Sequence, residues 1–174
     1  RSTNYGTTWE DKRPGDGYGT TITDDRGYEF WFADGQWAPP AVQQTWKQPL
    51  NGGAIRIGNN TMGSQYQFWY NKFDQKVYSA VSNQLLTANA FDPNPTWVNS
   101  FTLPVNDVHL TYGSPLDGNT LYITNDGATK PTLIVLRRNG GAWTAATVTL
   151  PGNGRVRAVY PSTEFFGEAW AGLY

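Results

Sequence analysis

The sequence predicts an all-β fold built as a repeat of about four sheet units. Short runs of alternating apolar and polar residues are separated by clusters of Gly, Pro, Asn and Asp. No segment carries an apolar stripe at helical spacing over three turns. The nearest candidate, Lys76 to Ala90, is interrupted by polar residues. The third observation is a recurrence: four times a tryptophan is followed by a proline, a small polar loop and a short alternating strand.

The first copy runs from Trp9 through Pro14-Gly15-Asp16-Gly17 into Tyr18 to Thr23. The second runs from Trp46 through Pro49 into Ala54-Ile55-Arg56-Ile57, and the third from Trp97 through Pro104 into Val108 to Tyr112. The fourth runs from Trp143 through Pro151-Gly152-Asn153-Gly154 into Arg155 to Tyr160. A period of a few tens of residues, with one sheet per period, has the form of a β-propeller-like repeat.

The units span residues 14–49, 50–104, 105–151, and 152–174 joined with 1–13. In the first, Gly19 to Thr23 and Tyr28 to Phe32 flank the turn Asp24-Asp25-Arg26-Gly27, and Asp34-Gly35 is a hairpin signal. In the second, Gln65 to Tyr70 and Lys76 to Val81 pair across Asn71 to Gln75. The third is the cleanest, with strands Val108 to Tyr112, Thr120 to Thr124, Thr132 to Leu136 and Ala142 to Leu150. That is the strand content of one propeller blade. The last unit holds only Val156 to Tyr160 and Ala169 to Tyr174, and residues 1–13 hold one outer-type strand around Trp9. Strands from both termini would then close the ring and remove its open edges. A β-sandwich or jelly roll is the alternative, because its strands and turns look alike in sequence. In the repeat reading Trp9, Trp97 and Trp143 occupy equivalent outer strands and are buried.

Composition narrows the function. The chain has 174 residues, suited to one domain, with 16% charged residues and a net charge of −1. No basic excess points to nucleic acid. There are 0 Cys and a single His, so neither a thiolate site nor a His-based zinc site is expected. No cofactor is expected. Asp-rich turns such as Asp24-Asp25 and Asn125-Asp126-Gly127 lack the spacing of a calcium loop and read as turns. No apolar run is long enough to insert in a membrane. The first residue is Arg1, which reads as a processed or excised form whose signal peptide would be invisible.

The N-terminal stretch Ser2-Thr3-Asn4-Tyr5-Gly6-Thr7-Thr8-Trp9 resembles the Asp-box, Ser-x-Asp-x-Gly-x-x-Trp, of sialidases and other β-propellers, with Asn4 in place of the usual Asp. A poorer copy is Thr23-Asp24-Asp25-Arg26-Gly27-Tyr28-Glu29-Phe30; near Trp143 only Gly140 keeps its place. The resemblance implies a structural turn within a propeller blade. It does not fix an activity, because the box occurs in glycosidases, lectins and receptors.

Aligning the post-proline strands puts Arg56, His109 and Arg157 in one rank. On innermost strands they would converge on one mouth, where guanidinium forks suit a carboxylate such as that of sialic or uronic acid. The resemblance invites comparison with the arginine triad of sialidases. Alternatively, each side chain stacks between sheets or pairs with its own acid. The Tyr nucleophile and acidic partners that sialidases use would fall to Tyr160 and Glu164, four residues apart. Catalysis is not the reading favoured. Aromatics are 15% of the chain, including 8 Trp, and rings stack on the apolar faces of sugars. Trp37, between Asp34-Gly35-Gln36 and Pro39-Pro40, has the most exposed setting of these. The candidate ligand-binding set is Arg56, His109, Arg157, Trp37, Tyr160 and Glu164.

These observations predict a secreted or surface-displayed carbohydrate-binding domain, a lectin or adhesin, recognising glycans through repeated weak sites. A homo-oligomer would add avidity. The alternatives are a sialidase-type glycoside hydrolase, or a fragment of one, and a structural or protein-interaction repeat.

Overall fold

A computed structural model describes residues 6–8, 16–22, 27–34, 44–49, 53, 55–57, 68–125 and 129–174. Every regular element among them is a β-strand. The first sheet holds β1 (Asp16–Ile22), β2 (Tyr28–Asp34), β3 (Gln44–Pro49) and β4 (Ile55–Ile57). The second holds β5 (Trp69–Asn71), β6 (Lys76–Val81), β7 (Gln84–Asn89) and β8 (Val98–Thr102). In the third are β9 (Val108–Gly113), β10 (Thr120–Asn125), β11 (Thr132–Asn139) and β12 (Ala142–Thr149). β13 (Val156–Pro161) and β14 (Ala169–Leu173) form the fourth.

Within each sheet the strands follow one another in sequence order and pair antiparallel. The chain finishes one meander before starting the next, and no described strand crosses to another sheet as a jelly roll would require. The all-β class and the four sheet units are therefore as expected. The third unit matches strand for strand. Its last hairpin closes in two residues: Asn139 faces Ala142, with Gly140 at φ 59° and Gly141 at φ 92°. Positive φ at both central positions defines a type I′ turn, whose twist suits the strands.

Successive sheets touch through their first strands, β1 against β5, β5 against β9, and β9 against β13. Period-two alternation feeds a core at each seam. Val77 on β6 joins Phe30, Phe68, Tyr70 and Ala90 between the first and second sheets. Its neighbour Tyr78 points the other way, joining Leu85, Leu121, Ile123, Ile134 and Leu136 between the second and third. Tyr122 and Leu133 then pack with Val156 and Val159 between the third and fourth. The β10 strand is buried along its whole length, as a strand covered on both faces must be. By contrast β12, an outer strand, is largely exposed.

One expected strand belongs elsewhere. Ile55-Arg56-Ile57 does not open the second sheet; it is the fourth strand of the first, with Trp46 facing Arg56 and Lys47 facing Ile55. Ile55 is therefore not equivalent to Val108 and Val156. The reason lies in the loop chemistry. Pro49 is the last residue of β3, Asn51-Gly52 after it in the sequence is a hairpin signal, and β4 pairs antiparallel with β3. Among the fully described connections, those that change sheet are Leu103 to Asp107 and Leu150 to Arg155. The fourth sheet has two strands among the described residues. Of the segment 1–13 expected to complete it, only residues 6–8 are described. Trp143 lies on outer strand β12, half-buried, with its ring 5.9 Å from that of Tyr78. Trp97 directly precedes β8 and stacks on Phe68, centroids 5.9 Å apart. Trp9 lies outside the described residues.

Core and edge should respond differently to truncation. Ile134 is fully buried, so Ile134→Ala should lower the unfolding free energy by about 2–5 kcal/mol in urea denaturation. Ile55 is 40% exposed on its edge strand, so Ile55→Ala should stay within about 1 kcal/mol of the parent.

Candidate functional site

The end of β11 places two arginines side by side, and strand alternation sends them to opposite faces of the third sheet. Arg138 faces the second sheet. Its Nη1 donates to Asp74 Oδ2 at 2.8 Å and to the Tyr78 hydroxyl at 3.1 Å. Its Nη2 donates to the Gly118 carbonyl at 2.9 Å, and its Nε to Asn119 Oδ1 at 3.2 Å. The guanidinium also lies 5.0 Å from the centre of the Trp143 ring. Tyr78 donates its own hydroxyl to Asp74 Oδ2 at 2.6 Å. Burial works against the charge of Arg138, but Asp74 and Tyr78 outweigh it and raise its pKa. Burial, then the Asp74 hydrogen bond and charge, hold the Tyr78 phenol well above its usual value of 10.0. This cluster is a closed electrostatic clamp between two sheets, with its donors and acceptors engaged.

Arg137 faces the other way. Its cross-strand partner is Thr120, and the next pair along is Tyr122 with Val135, so Arg137 shares a face with the core toward the fourth sheet. At the end of that seam is an open cleft of about 460 Å³. The third sheet contributes Asp117, Asn119, Arg137, Asn139 and Thr144, and the loop between β13 and β14 contributes Phe166. Asp117 is held in place: its Oδ1 accepts from the Asn119 backbone N–H at 2.8 Å and its Oδ2 from the Thr120 hydroxyl at 3.3 Å. Tyr122 on the same face is buried, and its hydroxyl has no hydrogen-bond partner among the described residues. Burial raises its pKa, Arg137 opposes that, and Asp117 adds to it.

The fourth sheet carries the most exposed rings. Tyr160 on β13 and Trp170 on β14 face each other across the hairpin, 65% and 61% exposed. Ala158 faces Gly172 two residues along, so the rings stand beside a floor of small residues. Phe165 and Phe166 project from the adjoining loop, Phe166 at 72% exposure. The opposite face of this hairpin, Val159 with Ala169 and Ala171, is the one packed on the third sheet.

Of the six expected site residues, the structure groups three on the fourth sheet: exposed Arg157 and Tyr160 on β13, and exposed Glu164 in the loop after it. His109 lies on β9, the first strand of the third sheet, which touches β13. Arg56 lies on β4, the edge strand of the first sheet. Trp37 lies outside the described residues. The sequence reading missed Arg137, Asp117, Phe166 and Trp170. Phe165-Phe166-Gly167 within a polar loop was the available signal for one of them. Among the described residues, no group of three or more His, Cys, Asp or Glu could hold a metal, and no helix is long and apolar enough to cross a membrane. No protein-family model, curated protein or solved structure matches this chain.

Removing Asp74 strands a partly buried guanidinium, so Asp74→Ala should cost about 1.5–3 kcal/mol in denaturant unfolding. Replacing both partners, with Arg138→Met, should recover part of that loss. Because the folded chain raises the Tyr78 pKa above the unfolded value, its stabilisation is complete below pH 10.0 and is lost as pH rises beyond it. Thermal unfolding in alkali should show that fall, with a shallower slope in Tyr78→Phe. Tyr122, shifted the same way, leaves a residual slope.

Proposed function

We propose that this chain is a carbohydrate-binding protein of the lectin or adhesin kind, presenting its glycan site on the fourth sheet. The observation that carries the reading is the pairing of two solvent-facing rings there, Tyr160 against Trp170, with exposed Phe165 and Phe166 on the loop between their strands. A contiguous exposed apolar patch is a sign of an interaction surface. Rings with a wet rim and a flat face suit a pyranose, whose C–H face stacks while its hydroxyls seek polar partners. Polar partners lie close in sequence, with Arg157 and Glu164 flanking Tyr160. In the same reading the sheets are blades of a small propeller, the Asp-box-like stretch at residues 2–9 belongs to one of them, and the protein acts outside the cell or on its surface.

A sialidase-type enzyme is the alternative reading, and turnover of a fluorogenic sialoside would favour it instead. A glycan array followed by titration calorimetry tests the proposal. Trp170→Ala and Tyr160→Ala should each weaken glycan affinity by on the order of tenfold, about 1.4 kcal/mol, with an unchanged melting temperature. Absence of any glycan binding, or full affinity in both variants, would overturn it.

A further inference from the structure

The cleft between the third and fourth sheets is a separate feature from the ring pair on the outer face, and its charges are balanced. Asp117 and Arg137 both line it. Arg138 borders it too, but that charge is neutralised by Asp74 at 2.8 Å. Arg137 takes no hydrogen-bond partner for its side chain among the described residues. Its Nη2 lies 3.1 Å from where a Cβ at position 167 would stand, and residue 167 is a glycine at φ 76°. The guanidinium therefore lies close against the backbone of that loop and is exposed to solvent. Thr144 is occupied, donating to the Arg137 carbonyl at 3.1 Å, as is Asn119 Oδ1, which accepts from Arg138. A fixed acceptor, a spare fork of donors and an exposed ring therefore meet around one open volume.

We infer that this cleft is a saccharide subsite selective for neutral sugars, taking a pair of adjacent hydroxyls between Asp117 and Arg137 and the ring face on Phe166. The inference rests on the carbohydrate reading above and narrows it. A hydroxyl both donates and accepts, so two neighbouring hydroxyls satisfy a carboxylate and a guanidinium together. A uronic or sialic acid does not fit as well. Its carboxylate would gain Arg137 and meet Asp117, with Glu164 and Glu168 on the loop that carries Phe166. Like charges repel by an amount that grows as water is excluded. The volume, about 460 Å³, lies within the range of small-molecule clefts, roughly 300–1,000 Å³.

The experiment titrates the full chain with neutral disaccharides and with uronic-acid disaccharides by calorimetry, at low and high salt, using the parent, Asp117→Asn, Arg137→Gln and Phe166→Ala. Asn keeps the turn-capping acceptor at 117, so Asp117→Asn removes charge while retaining the loop geometry; melting temperatures of all three verify folding. Neutral sugars should bind the parent with little salt dependence. Each variant should lose on the order of tenfold in affinity. Asp117→Asn should also improve uronic-acid binding relative to the parent. Retention of neutral-sugar affinity in all three variants, with loss in Trp170→Ala, overturns the subsite and leaves the carbohydrate reading standing. Salt-sensitive binding of acidic sugars alone does the same. No binding of any sugar by the parent removes both.

Discussion

The guanidinium of Arg138 is the point on which the middle of this molecule turns. A sheet-on-sheet seam is an apolar place, and a cation left there without partners would be expelled or would drag water in. Arg138 avoids both because each neighbouring segment offers it an acceptor: the β5–β6 turn gives Asp74, β6 gives Tyr78, and the β9–β10 connection gives Gly118 and Asn119. Those acceptors lie on two sheets. Moving one sheet relative to the other breaks several charge-assisted bonds together, whereas an apolar seam alone would tolerate sliding. The clamp therefore sets register between sheets two and three, while Leu121, Ile123, Ile134 and Leu136 supply the burial.

A second cation does similar work one seam earlier. Lys47 on β3 is 2% exposed; its Nζ donates to the Asp92 carbonyl at 2.9 Å and lies 4.3 Å from the centre of the Tyr28 ring. Burial lowers its pKa, with Asp92 acting in the opposite sense. At both seams the positive charge meets oxygen and an aromatic face from the surrounding strands and loops. The seam between sheets three and four departs from this pattern. It has a cation, Arg137, but no acid is hydrogen-bonded to it among the described residues. That contrast separates a side chain used for holding sheets together from one left available to something that arrives from solution.

Much of the fold was legible because its signals are local. Alternation, Gly-rich turns and the repeated Trp-to-Pro spacing were enough to place the four strands of the third sheet nearly to the residue. The assignment of Ile55 to Ile57 failed for an instructive reason. Pro49, Pro104 and Pro151 look alike in sequence, but a proline ending a strand and a proline leading to a new sheet differ only in what the chain meets next. In the sequence the hairpin signal at Asn51-Gly52 competes with the repeat, and β4 pairs with β3. Arg56 goes with it to the edge of the first sheet. The clamp could not be read at all: Asp74 and Arg138 are 64 residues apart, and nothing in either local sequence names the other.

The same distinction between local and assembled features bears on where a ligand could bind. Sheets two and three are covered on both faces, so their rings are consumed by packing: Tyr70 and Phe68 toward one seam, Tyr78 toward the other. The fourth sheet packs only one face on the third, so the alternation that buries Val159 must turn Tyr160 outward, and Trp170 across from it turns the same way. A ring that large in water forgoes burial worth about 1.5–3 kcal/mol. Two such rings directly paired, Tyr160 and Trp170, forgo it together on a single surface. Sheet alternation explains why these positions face outward. It does not explain why they are aromatic rather than polar, and the glycan contact proposed above would supply that reason.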